Sequence, residues 1–186
     1  MRPTCRGFTI VESVVVVVAI GLVAAVVWPQ IGQAARNQRE QRMAKLQSAR
    51  SSVQSAAALI HGVATARLNQ PQESCVGVGF GANPPLVNLA GNGNLCTENG
   101  RVQVALLYPA ATTAGIVASA GLVPVAGTPT VTQLGYEGLR VAAHSRHELQ
   151  IQASGGPDAA NCAFTYRAPA RLGEAAAVSA VVTSGC

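Results

Sequence analysis

The chain has 186 residues, of which 49% are hydrophobic and only 11% charged, with a formal net charge of +5. A soluble domain usually carries about 25% charged residues, so this is not the composition of an ordinary hydrophilic globule, and its hydrophobicity excludes intrinsic disorder. The modest positive charge does not by itself argue for nucleic-acid binding, and the length suits one domain once a membrane segment is set aside.

Arg2 and Arg6 open the chain, and in the 24 residues from Phe8 to Ile31 Glu12 is the only charged side chain. A membrane-spanning helix needs about 20 apolar residues, and preceding arginines hold that end in the cytoplasm. A secretory signal peptide has an apolar stretch of about 7–15 residues, and Ser13–Trp28 sits at the upper edge of that range. Neither a signal peptide nor a plain anchor gives a reason for Glu12. An acidic side chain costs about 2.5–3.5 kcal/mol at the bilayer centre and less near an end, and such residues have a partner and a function.

The run Arg6-Gly7-Phe8-Thr9-Ile10-Val11-Glu12 resembles the cleavage and methylation site of type IV prepilins and type II secretion pseudopilins. The resemblance implies that a prepilin peptidase cuts after Gly7 and methylates Phe8, so that residues 1–7 are a leader and Glu12 is the fifth mature residue. Pro29, the 22nd mature residue, extends the likeness, and a proline inside a helix removes a hydrogen bond and kinks or locally opens it. Ile10-Val11 stands where Leu-Ile is frequent, and keeps the apolar character. Cutting exposes an α-amino group of pKa about 7.7–8.0, mostly charged at neutral pH. Glu12 of one subunit would pair with the Phe8 ammonium of a neighbour, which offsets two desolvation costs and sets the axial register.

Residues 8–31 are thus expected to form a transmembrane and assembly helix, and residues 32–69 its amphipathic continuation. Met43, Leu46, Val53, Ala57, Ile60 and Ala64 follow a 3-4 spacing interrupted only by Arg50, one apolar stripe to lie against a sheet. Arg36, Arg39, Arg42 and Lys45 step by three along the same helix. They are expected to be a solvated face, with anionic lipid headgroups or acidic groups on adjacent subunits as the sharper alternative. No aromatics interleave them to stack bases, which disfavours nucleic acid.

Residues 70–186 are expected to form a globular head. Residues 70–100 contain Pro71, Pro84-Pro85 and Gly91-Asn92-Gly93-Asn94, and are expected to be loop. The Gly77-Val-Gly-Phe-Gly81 cluster is no phosphate cradle, since prolines rather than a helix start follow it. The five cysteines become four when a leader takes Cys5, an even number suited to two disulfides in an oxidising compartment. Four cysteines admit three pairings; Cys75–Cys96 and Cys162–Cys186 are expected because each encloses one local segment.

Arg101–Tyr108 is expected to be a strand ended by Pro109, and Thr112–Leu122 a helix with a threonine cap and Gly121 near its end. Leu139–Ser145 and Glu148–Ala153 alternate as a hairpin around a His144–His147 turn, and Cys162–Arg167 and Val178–Ser184 are further strand candidates. The fold class is therefore α+β: a long N-terminal helix packed on an antiparallel sheet of about four strands.

Leu107-Tyr-Pro-Ala-Ala-Thr-Thr-Ala-Gly-Ile116, Cys162-Ala-Phe-Thr-Tyr166, Gly185-Cys186 and the helix Lys45–Arg67 are similar to mannose-sensitive haemagglutinin-type pilins. The 70–100 loop and its cysteine pair depart from them. The likeness implies a structural subunit that lies in the inner membrane as a precursor, then at the cell surface in a homo-oligomeric filament serving adhesion or motility. Its partners would be the prepilin peptidase and an assembly ATPase with its platform. The alternatives are a type II secretion pseudopilin or minor pilin and, from another class, a membrane-anchored periplasmic binding module.

No enzyme, cofactor or metal is expected. His144-Ser-Arg-His147-Glu148 is the only cluster with metal-ligand residue types, and in a strand that spacing puts the two histidines on opposite faces. No Gly-x-Ser-x-Gly elbow occurs, and one aspartate, Asp158, with scattered glutamates is too little carboxylate for calcium.

Overall fold

The computed structural model describes the backbone of residues 10–70, 87–97 and 100–186, with side chains of the first helix from Gln33 onward. The chain divides into two compact units, Met1–Glu40 and Gln41–Cys186. One helix, α1, runs over Ile10–Ala66. It is expected to reach residue 69, but Asn69 adopts φ +54 and the chain turns away.

In the second unit α1 is the spine of an α+β fold. Leu46, Val53, Ala57, Ile60 and Ala64 are buried, as the 3-4 spacing predicts, and Ala49 and Ala56 join them. These alanines widen the stripe and let strands approach the helix closely. Burying one leucine such as Leu46 stabilises the fold by about 1.5–3 kcal/mol.

The expected single sheet is two. A three-stranded antiparallel sheet of order β1-β2-β3 comprises β1 (Gly93–Thr97), β2 (Gly100–Ala105) and β3 (Tyr108–Pro109). A four-stranded sheet of order β4-β5-β6-β7 comprises β4 (Leu139–Ser145), β5 (Glu148–Ala153), β6 (Ala163–Arg167) and β7 (Ala177–Val178). The four-stranded sheet covers the Leu46–Ala57 stretch of α1 with Leu139, Leu149, Ile151, Phe164 and Tyr166. The smaller sheet covers Ile60 and Ala64 with Leu95, Val102 and Val104, together with Val87.

β1 lies inside the stretch expected to be loop. Leu95 is its one buried side chain, so it has almost no alternation to read. The expected strand 101–108 is likewise broken in two. Leu106 (φ +52) and Leu107 (φ +70) form a tight two-residue turn, and Pro109 pairs with Val104 instead of ending the strand. Two leucines in the left-handed region are strained. The turn is held by Asn92, whose side-chain oxygen accepts from the Leu106 amide at 3.0 Å, and by Gly91, whose carbonyl accepts from the Leu107 amide. A Cβ on Gly91 would lie 2.8 Å from the Leu107 nitrogen, so only glycine fits there.

The expected helix Thr112–Leu122 is a short π-helical turn, Thr113–Val117, capped as expected by the Thr112 side chain. It is drawn against Ala110: a Cβ on Gly115 would lie 2.2 Å from the Ala110 carbonyl oxygen. A second helix, α2 (Val131–Tyr136), arises where no element is expected, with Thr130 and Gln133 forming a capping box. The β4–β5 hairpin matches its expected bounds on both strands. The expected strand Val178–Ser184 contracts to β7 and an isolated bridge between Ala163 and Val182.

Candidate functional site

Gly7 and Phe8 lie outside the described residues, as do Cys75 and the Gly77–Gly81 cluster. Glu12 and Pro29 fall within α1 by backbone only. Among the described residues no helix is long and apolar enough to cross a membrane. The side chains of the apolar run Phe8–Ile31, on which that expectation rests, lie outside them.

Arg36, Arg39 and Lys45 are exposed, as a solvated face would be, and Arg42 is half-buried; Arg42 and Lys45 also reach main-chain carbonyls. Arg42 donates from Nε and Nη2 to the Cys186 carbonyl at 2.9 and 2.5 Å, and from Nη1 to the Gly155 carbonyl at 3.1 Å. Lys45 Nζ donates to the Glu137 carbonyl, and Arg50 Nε to the Ser179 carbonyl at 2.7 Å. The cations satisfy main-chain carbonyls of segments that have no strand partner there. A basic row on a helix beside a loop-rich sheet is chemically suited to that task, and a periodicity count alone misses it.

Cys162 and Cys186 are disulfide-bonded, with Cα atoms 4.7 Å apart. Cys96 is also disulfide-bonded, and the expected partner, Cys75, lies outside the described residues. Gly185 packs into the same corner, its would-be Cβ 2.2 Å from the Asp158 carbonyl oxygen. Asp158 caps the short 3-10 turn Ala159–Asn161, accepting from the Ala160 and Asn161 amides and from Asn161 Nδ2 at 2.7 Å.

The two sheets are tied by Tyr166, whose buried hydroxyl donates to the Pro109 carbonyl at 2.8 Å. Burial, and then the neighbouring Tyr108, pushes the Tyr166 phenol well above its ordinary value, so it is held protonated as a donor. Tyr108 stacks on His61 of α1 with ring centroids 4.1 Å apart, and His61 Nδ1 lies 3.2 Å from the Leu107 carbonyl. Sequence reasoning reads Tyr108 and Pro109 as a strand end, Tyr166 as a strand residue and Cys186 as a disulfide partner, and all four as points of likeness. The structure brings their segments onto one helix.

His144 Nε2 meets Gln150 Oε1 at 3.2 Å, and His147 sits in the hairpin turn. No group of three His, Cys, Asp or Glu side chains able to hold a metal occurs among the described residues. An open groove of about 380 Å³ between Gln47, Arg50 and Ser51 of α1 and Ala180, Val181 and Thr183 of the C-terminal segment has no nucleophile paired with a base. No protein-family profile, curated protein or solved structure matches the chain.

Proposed function

We propose that this chain is a type IV pilin-like structural subunit, processed after Gly7 and polymerised through its N-terminal helix. One observation carries the reading: a single helix, Ile10–Ala66, starts inside the Gly7-Phe8…Glu12 processing pattern and ends as the spine of an α+β head. A helix that serves only its own head has no use for the further stretch Ile10–Glu40, which begins with a carboxylate in an apolar run. Those features make sense when the apolar half packs against copies of itself and Glu12 neutralises a neighbour's Phe8 ammonium. The head adds what an exported subunit needs, a Cys162–Cys186 bridge and a polar outer sheet face.

The membrane segment, the inner-membrane precursor and the surface filament belong to the same proposal, as do the prepilin peptidase and the assembly ATPase with its platform. Intact-mass and peptide mass spectrometry of the mature protein tests it. Phe8 as a methylated first residue is the expected result. A first residue beyond Gly32 identifies an ordinary signal peptide and overturns the reading.

A further inference from the structure

The outer face of the four-stranded sheet is polar, and its charge is one-sided. On β5, Leu149, Ile151 and Ala153 point to the core while Glu148, Gln150 and Gln152 point outward. Across the ladder Arg140 pairs with Gln152, Gln150 with Thr165, and Glu148 with Arg167. Arg146 and His147 occupy the hairpin turn and His144 stands over Gln150. Glu148, the one carboxylate of the hairpin, is taken by Arg167 at 3.1 Å. Of the flanking carboxylates, Glu137 lies two residues before β4, and Asp158 has both oxygens occupied by its cap.

Arg140 and Arg146 are exposed, and neither has a hydrogen bond or ion pair among the described residues. They differ in this from Arg42, Lys45 and Arg50, which the fold uses to hold α1. Between these cations lies an ordered row of amides. Gln152 Nε2 donates to Gln150 Oε1 at 2.7 Å, and Gln150 Nε2 donates to the Ala160 carbonyl.

We propose that this face, edged by Arg140, His144, Arg146, His147 and Arg167, binds a carboxylated polysaccharide. The arginines supply the complement to regularly spaced carboxylates, and arginine's planar fork matches a carboxylate with two parallel hydrogen bonds. Gln150 and Gln152 stand about 6.6 Å apart along β5 and Thr165 about 4.8 Å from Gln150 across the ladder, a polar grid suited to the hydroxyls of successive sugars. The outward row has no aromatic to stack a nucleobase and no large apolar anchor for a protein partner. The surface stands whether or not the chain forms filaments.

The test uses the full chain in detergent micelles, titrated with sodium alginate, with neutral dextran and with a DNA duplex. Alginate should bind and dextran should not. Binding should weaken as ionic strength rises from about 0.01 M to about 1 M, because the screening length falls from about 30 Å to about 3 Å. The double variant Arg140→Gln/Arg146→Gln should lose about tenfold in affinity, or about 1.4 kcal/mol. Arg36→Gln, which changes the net charge elsewhere, should alter it less than about twofold. An intact Cys162–Cys186 bridge and an unchanged circular dichroism spectrum establish that each variant is folded. Equal alginate binding by the double variant, or binding of DNA without alginate, overturns the proposal.

Discussion

Tyr166 is fully buried at a position where a main-chain carbonyl needs a donor. Its hydroxyl is the partner of the Pro109 carbonyl, and Phe164, two residues earlier on the same strand, faces the same core. Tyr166→Phe keeps the ring and leaves that carbonyl without its donor, and is expected to lower the unfolding free energy by about 1–3 kcal/mol in urea titrations. The raised phenol also sets a pH dependence. Its folded value lies above its unfolded one, so the stability it contributes is complete below about pH 10 and declines as pH rises further. Unfolding midpoints of the parent chain should therefore fall more steeply above about pH 10 than those of Tyr166→Phe.

At the scale of elements, α1 is held to its head by packing and by a row of cations. Arg42→Met removes the hydrogen bonds to the Cys186 and Gly155 carbonyls while retaining an apolar stem. It should cost about 1–2 kcal/mol by the same titration, with Arg36→Met within about 0.5 kcal/mol of the parent. Which of the four cations would be recruited is not legible from their spacing, because the carbonyls they bind come from residues 137–186. The helix face and the β4–β5 hairpin are legible because both are periodic over many residues. β1 and α2 are short and carry one buried side chain each, Leu95 and Leu134, so periodicity has nothing to act on. The Thr130-x-x-Gln133 capping box is the signal by which α2 is detectable. The division into two sheets follows from the Leu106-Leu107 turn, where residues of low turn preference adopt φ above zero under tertiary constraint.

For the whole molecule, the proposed assembly separates into a head that folds by itself and a helix start that joins copies. Glu12→Ala should leave the head's circular dichroism and the Cys162–Cys186 bridge intact yet abolish sheared surface filaments seen by electron microscopy. Filaments of normal number and length from that variant would remove the charge pairing from the account. Gly7, Phe8 and Glu12 are proposed from a local pattern of the sequence alone. The contacts of Tyr166 with Pro109 and of Arg42 with Cys186 are not legible in the sequence, because distant residues meet there.

That last contact spans 144 positions of sequence. During synthesis Arg42 leaves the ribosome well before the carbonyl it grips, 144 positions later. At about 5–20 residues per second the interval is roughly 7–30 s. For most of it the stretch from Leu46 to Ala57 lacks the complete four-stranded sheet that covers it, and the Cys162–Cys186 bridge has no second sulfur. The joint between spine and head is thus a late event of folding, and shielding of α1 until then is a requirement on the cell that makes it.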